Sequence, residues 1–224
     1  MLNLLARVST QIARREAFNK PGEFAGTGLS GIETGRCVNA IHRQLCRSDY
    51  WANLAHSQLL PWALRGVPLD GEVLEIGPGY GVTTRWLAQR SERLTAVEID
   101  PALATALRAE LAGRVEVHHG DGSALPFADA SFDAVVCFTM LHHVPSAHLQ
   151  DRLFAEACRV LRPGGVFAGS DSRLSLRFRL LHLRDTMVVV DPDNLPDRLG
   201  LAGLTDPRVE LGSRSLRFTA TRPR

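Results

Sequence analysis

Lysine is nearly absent: Lys20 is the single one among 26 basic residues, the rest being arginine. Cysteine is scarce too. Cys37, Cys46, Cys137 and Cys158 include no Cys-x-x-Cys pair, which excludes a cysteine zinc scaffold or disulfide framework and predicts reduced thiols in a cytoplasmic protein with no metal. No apolar run reaches the roughly 18 residues that span a bilayer, and Leu2 to Ala6 is cut by Arg7 too early for a secretory core. A soluble chain without integral membrane association is expected. A basic excess is also lacking. Residues 1–37 hold 5 basic and 3 acidic side chains, leaving 21 of each sign in the remainder, whereas a nucleic-acid binder usually concentrates positive charge on its working domain. Nucleic acid is therefore not an expected partner. What is present, 45% hydrophobic residues over 224 positions, suffices for one domain with a sizeable core.

The chain divides by texture. In residues 1–37, Leu5, Val8 and Ile12 have short helical spacing before Pro21-Gly22, Gly26, Gly28, Gly31 and Gly35 break the pattern, so a poorly ordered leader is expected, with the native start near Val38 as a sharper alternative. Residues 38–66 carry Ile41, Leu45, Leu54, Leu59, Leu60 and Leu64 at helical spacing, with Ser48 or Asp49 as a cap and Pro61 as a kink or restart. These helices are expected to cover the rim of a site in the third segment, 67–224. There the pattern alternates: strands at Glu72 to Ile76, Leu94 to Ile99, Val115 to His118, Phe132 to Phe138 and Val166 to Gly169, separated by helices at Val82 to Gln89, Pro101 to Leu111 and Leu149 to Leu161. Such alternation predicts βαβ units and a doubly wound, mostly parallel sheet covered on both faces. Helices over Leu174 to Leu183 and Pro196 to Leu204 follow, then a hairpin of Arg208 to Leu211 with Leu216 to Thr221.

The strongest chemical signal is VLEIGPGYG, Val73 to Gly81: a strand followed by three alternating glycines. Glycine lets a backbone turn sharply and bring its amides close to a ligand. A dinucleotide fingerprint starting at Gly77 needs glycine where Val82 stands, and a phosphate loop needs glycine there with lysine next, where Thr83 stands. Both fail. Glu75, just before the loop, would repel phosphates and suits a cationic ligand. Glu98 ends the next strand, where an acid can accept hydrogen bonds from both ribose hydroxyls. Asp121, in Gly120-Asp121-Gly122, follows the third strand and can accept from an adenine amino group. Three acids at successive strand ends fit a positively charged, adenosine-containing cofactor.

On these residues, with AVEID at the second strand, HGD at the third, SFDAVVCFTMLHHV at the fourth and RVLRPGG before the fifth, the sequence resembles the class I S-adenosylmethionine-dependent methyltransferases over about residues 70–221. It looks most like bacterial methyltransferases of small molecules. The resemblance implies an α/β Rossmann-like seven-stranded sheet of order 3-2-1-4-5-7-6 with an antiparallel last strand, and S-adenosylmethionine as cofactor. It further implies that Glu75 and the Gly77, Pro78 and Gly79 backbone hold the methionyl part, while Glu98 holds the ribose. Ile99 packs on adenine, Asp121 with Gly122 and Ser123 reads the adenine edge, and Phe138 lies near the methionyl amine.

His142 and His143 can take a proton from an acceptor hydroxyl, because histidine titrates near neutrality; the same Leu-His-His run serves equally as a structural or substrate-positioning element. His118 and His119 read as packing groups. Tyr50, Trp51 and Trp62, and residues 172–196 with Phe178, His182 and Met187, are candidates for an apolar lid over a small acceptor. The fourth strand ends in Cys137-Phe138-Thr139-Met140, without the Asn/Asp-Pro-Pro-Tyr run of enzymes that methylate exocyclic or amide nitrogens. Two other classes stay open: a non-catalytic cofactor-binding partner or regulatory subunit, and a nicotinamide oxidoreductase, which the Val82 mismatch disfavours. No motif specifies an oligomeric state.

Overall fold

A computed structural model describes residues 39–182 and 185–224; the expected leader, 1–37, lies outside the described residues. The described chain opens with helices α1 (Ala40–Cys46) and α2 (Asp49–Leu54), a π-helical turn at Ala55–Leu59, and α3 (Leu60–Ala63), where Pro61 stands in the first turn and restarts the helix. Asn39 caps α1 by accepting from His42 N (3.0 Å), and Ser48 caps α2 by accepting from Trp51 N (3.2 Å).

The alternating part then runs β1 (Glu72–Ile76), α4 (Val82–Leu87), β2 (Arg93–Glu98), α5 (Pro101–Glu110), β3 (Glu116–His119), β4 (Phe132–Phe138), a 3-10 turn (Leu141–His143), α6 (Ala147–Val160), β5 (Leu161–Ser172), α7 (Leu176–Leu181), α8 (Leu195–Leu201), β6 (Thr205–Leu211) and β7 (Ser215–Thr221). One seven-stranded sheet has the order β3-β2-β1-β4-β5-β7-β6. Its pairs are parallel from β3 to β5, and β7 is antiparallel to both β5 and β6. The sheet order and the hairpin at the chain's end agree with the expectation from sequence.

Side-chain alternation along the strands divides the core. Leu74, Ile76, Val135 and Cys137 enter one layer with Leu153, Phe154 and Val160 of α6 and Leu195 and Leu199 of α8. Val73, Ala134, Val136 and Phe138 enter the other with Leu60 and Ala63 of α3, Leu87 of α4 and Leu107 of α5. Each fully buried leucine or phenylalanine contributes about 1.5–3 kcal/mol. On the central strands β1 and β4 both faces are covered, so a polar residue in their middle is cut off from water on either side.

One boundary differs from expectation. Leu161 does not end α6 but already pairs with Phe132, and β5 continues through Pro163-Gly164-Gly165. A register shift between Phe132 and Ala134 absorbs the irregularity. A side chain at Gly165 would stand 2.9 Å from the carbonyl oxygens of Arg162 and Asp133, so glycine is what lets the strand pass. Proline and glycine therefore mark a bulged strand here rather than a loop.

Candidate functional site

The fold brings the three sequence-predicted acids to neighbouring strand ends. β1 and β2 stay in register past their ends, with Gly77 N–H donating to the Val97 carbonyl (2.9 Å), and Gly120 N–H does the same to the Glu98 carbonyl (3.0 Å). The loop carrying Asp121 is held against β1, because Gly122 leaves no room for a side chain beside Ile76 Cγ2 (2.7 Å from an added Cβ). Asp121 folds that loop by accepting from Ser123 N–H (2.8 Å).

Glu98 does more than end a strand. Its Oε2 accepts from Gly79 N–H and its Oε1 from Asp100 N–H, both at 2.9 Å, so it pins the glycine loop of β1 to the start of α5. Burial raises its pKa above the ordinary carboxylate value, against the lowering effect of those two bonds. Ile99 beyond it is 59% exposed and offers an apolar surface at the rim.

Glu75 has the same parity as Val73 and so faces α4, where the Thr83 hydroxyl donates to its Oε1. It is 1% exposed, and Oε2 makes no hydrogen bond of good geometry, its near neighbour being the Thr84 hydroxyl, which is likewise unpaired. Burial pushes its pKa up to about 7, with the charge of Glu98 adding to the effect. A buried carboxylate oxygen without a donor is expensive to leave so. An ammonium or sulfonium beside the loop would supply the missing counter-charge. The loop itself has space: Gly79 adopts φ +55° and a Cβ there would meet nothing within 4 Å. These features fit the methionyl end of S-adenosylmethionine.

Phe138 stands at the end of β4 as expected, but its side chain is buried in the α3–α5 layer, which leaves only its backbone at the rim. The next residue, Thr139, takes a left-handed φ of 51° and donates its N–H to the Ser170 carbonyl (2.8 Å). Met140 packs on Gly77, joining the ends of β1 and β4.

His142 and His143 follow in the 3-10 turn, and their surroundings were not visible in the sequence. His142 donates its backbone N–H to Asp171 Oδ2 (3.0 Å) and pairs through Nδ1 with Asp171 Oδ1, at the end of β5. Its Nε2 lies 3.1 Å from His182 Nε2, and Phe178 packs edge-on against the ring. Gln150, fully buried on α6, donates to the carbonyls of Leu141 and Val188, clamping this turn to the segment after α7. His143 is pushed down to about 2 by burial and by the neighbouring imidazoles, which makes it a weak base. His42 of α1 completes the group, its ring 4.4 Å from that of His182 and 5.2 Å from that of His143. The sequence points to the pair His142 and His143 and, apart from it, to His182, but not to His42, Asp171 and Asp185, whose signal is purely spatial.

The other expected groups separate. Tyr50 is 68% exposed; Trp62 packs on the α3–α5 layer beside Arg217, on the sheet rather than over the rim. The helices of 38–66 reach the glycine loop through His56, whose Nε2–H donates to the Val82 carbonyl (2.8 Å), and through Arg47 over the Tyr80 ring. His118 pairs with Glu116 and packs on Phe127, and His119 donates to the Ile99 carbonyl (3.2 Å), both local contacts. Cys46, Cys137 and Cys158 are free thiols. No helix among the described residues is long and apolar enough to cross a membrane.

Comparison with known proteins places this geometry. Residues 74–169 match the family model for a methyltransferase domain. A sterol 24-C-methyltransferase of Neurospora crassa is 32% identical over 180 residues, covering 74% of this chain and 46% of that protein. A fatty-acid O-methyltransferase of Mycolicibacterium smegmatis is 38% identical over 108 residues, covering 45% of this chain and 37% of that one. The chain thus spans less than half the length of these relatives. Among solved structures, a SAM-dependent methyltransferase from Aquifex aeolicus superposes with a TM-score of 0.60 at 18% identity, over 75% of this chain and 92% of that one, a likeness of fold. Sheet order, acid-bearing strand ends and family match converge: the chain carries a class I S-adenosylmethionine-dependent methyltransferase domain.

Proposed function

We propose that this chain transfers a methyl group from S-adenosylmethionine to a small, partly apolar acceptor. The observation that carries the reading is the buried Glu75 carboxylate, one oxygen of which lacks a donor, directly before a roomy glycine loop. In this reading Glu75 and the backbone of Gly77, Pro78 and Gly79 receive the methionyl ammonium and carboxylate ends. Glu98 orients the ribose with the lone pairs that its two backbone bonds leave free. Ile99 covers the adenine, Asp121 with Gly122 and Ser123 meets its edge, and the Phe138 backbone closes the methionyl side.

When bound, the sulfonium supplies an already activated methyl group. The chain's task is then alignment of acceptor and methyl, at about 3–3.5 Å and in line, with water excluded. His142, held by Asp171 and His182, and His143, held neutral by burial, position the acceptor side of the rim in this reading rather than removing a proton. Leu176 and Leu180 on α7, 75% and 63% exposed, add apolar surface to the helix whose Phe178 packs on His142, in keeping with the sterol named for the Neurospora relative. Full-length protein incubated with methyl-labelled cofactor and a metabolite extract is expected to label one apolar small molecule. Cofactor binding without any labelled product would instead support a regulatory, non-catalytic subunit.

A further inference from the structure

A histidine group gathers at the turn after β4 and the end of β5. His42, His143 and His182 each offer one ring nitrogen, and these three atoms lie within 4.8 Å of one another. We propose that His42, His143 and His182 form a binding site for a divalent metal ion of the zinc class.

Four observations support it. First, two of the rings already have the outer contact that orients a metal-ligating imidazole: the His42 Nδ1–H donates to Asp185 Oδ2 (3.2 Å) and the His182 Nδ1–H to the Phe178 carbonyl (2.8 Å). This leaves the Nε2 lone pair of His42 for a ligand, while His182 Nε2, 3.1 Å from His142 Nε2, becomes a ligand by giving up that contact. Second, His143 Nδ1 is buried with no hydrogen-bond partner, while the same ring meets the Thr186 backbone, so the third ring also has one nitrogen engaged and one to offer. Third, His42 and His182 are buried, which shields a bound ion from competing water. Fourth, the scaffold is cross-tied. Asn39 donates to the Leu181 carbonyl (2.6 Å) and to Asp185 Oδ2 (3.1 Å), fastening the start of α1 to the end of α7 and so His42 to His182.

The size is suitable. Tetrahedral zinc with bonds of about 2.0–2.1 Å holds its imidazole nitrogens about 3.3 Å apart, so contraction by no more than about 1.5 Å closes the site. Small side-chain rotations provide that. Imidazole nitrogens select zinc-like ions over magnesium or calcium, and three protein ligands leave a fourth position for water or an acceptor heteroatom. The Asp185 carboxylate behind His42 supplies compensating negative charge.

The full-length chain, stripped of metal, is titrated with zinc against a chromogenic chelator and with cobalt by absorption. One equivalent binding with sub-micromolar affinity, and a tetrahedral cobalt spectrum, are expected. Affinity should fall at least about 100-fold in His143→Ala and His182→Ala, and about 10–100-fold in Asp185→Asn, whose side chain contacts a ligand rather than the metal. His148→Ala, at an exposed histidine, should bind as the unmodified chain does. If the substitutions impair folding, X-ray absorption on the unmodified zinc-loaded protein decides, with about three imidazoles per metal expected. Absence of stoichiometric binding, affinity unchanged in His143→Ala and His182→Ala, or a metal shell without imidazole would overturn the site.

Discussion

The two halves of the sheet's carboxyl edge use opposite chemistry. At the end of β1, Glu75 is buried with one oxygen lacking a hydrogen-bond partner and has a pKa of about 7. Over β4 and β5, Asp171 is fully buried but satisfied, accepting from the His142 backbone and facing its ring. The first arrangement keeps a charge poised for an incoming cation at a cost in stability; the second fastens a turn in place. Burial alone thus does not distinguish a binding group from a structural one, whereas partner accounting does.

Substitutions should separate the halves. The largest effect is expected for Glu75→Gln, which keeps the shape but removes the charge: affinity for S-adenosylhomocysteine, measured by calorimetry, falls by about 100-fold or more. The same variant should melt at a higher temperature at pH 8. A carboxyl raised from 4.5 to about 7 on folding binds more protons in the native state, so its ionisation destabilises the fold as pH rises through that interval, fully so above 7. Asp171→Asn should behave in the reverse way, with about 1–3 kcal/mol of stability lost in urea unfolding and cofactor affinity unchanged. If Asp171→Asn also weakens the cofactor, the two halves are one site.

Within the acid half, glycine substitutions distinguish folding from ligand space. Gly81→Ala combines a left-handed φ of 74° with a contact of 2.4 Å to Leu107 and should be destabilised by about 2–3 kcal/mol. Gly79→Ala has the strain alone and should lose about 1 kcal/mol, with its larger defect in binding. The same carboxyl sets a pH dependence: cofactor affinity of the unmodified chain should weaken by up to about tenfold for each unit below pH 7, as Glu75 takes up a proton.

The acid half was legible because its parts are local. A glycine loop, an acid at a strand end and a third acid in a turn each announce themselves within a few residues, and the family resemblance that these motifs carry implies the sheet order. Glu98's grip on Gly79 and the lone oxygen of Glu75 were not legible, since both depend on what the opposite wall places there. The histidine half was hidden because His42, His143 and His182 are spread over 140 positions and converge only through α1, the turn after β4 and α7. Pro163-Gly164-Gly165 misled for the converse reason: a local turn signal was overridden by pairing between β4 and β5.

Calorimetric titration of the full-length chain with S-adenosylmethionine at pH 7, in two buffers of different ionisation enthalpy, bears most directly on the role of Glu75. One-to-one binding with release of about half a proton is predicted, because the arriving cation ionises a carboxyl that is about half protonated there. Saturable binding without proton release, or no binding at all, would contradict it.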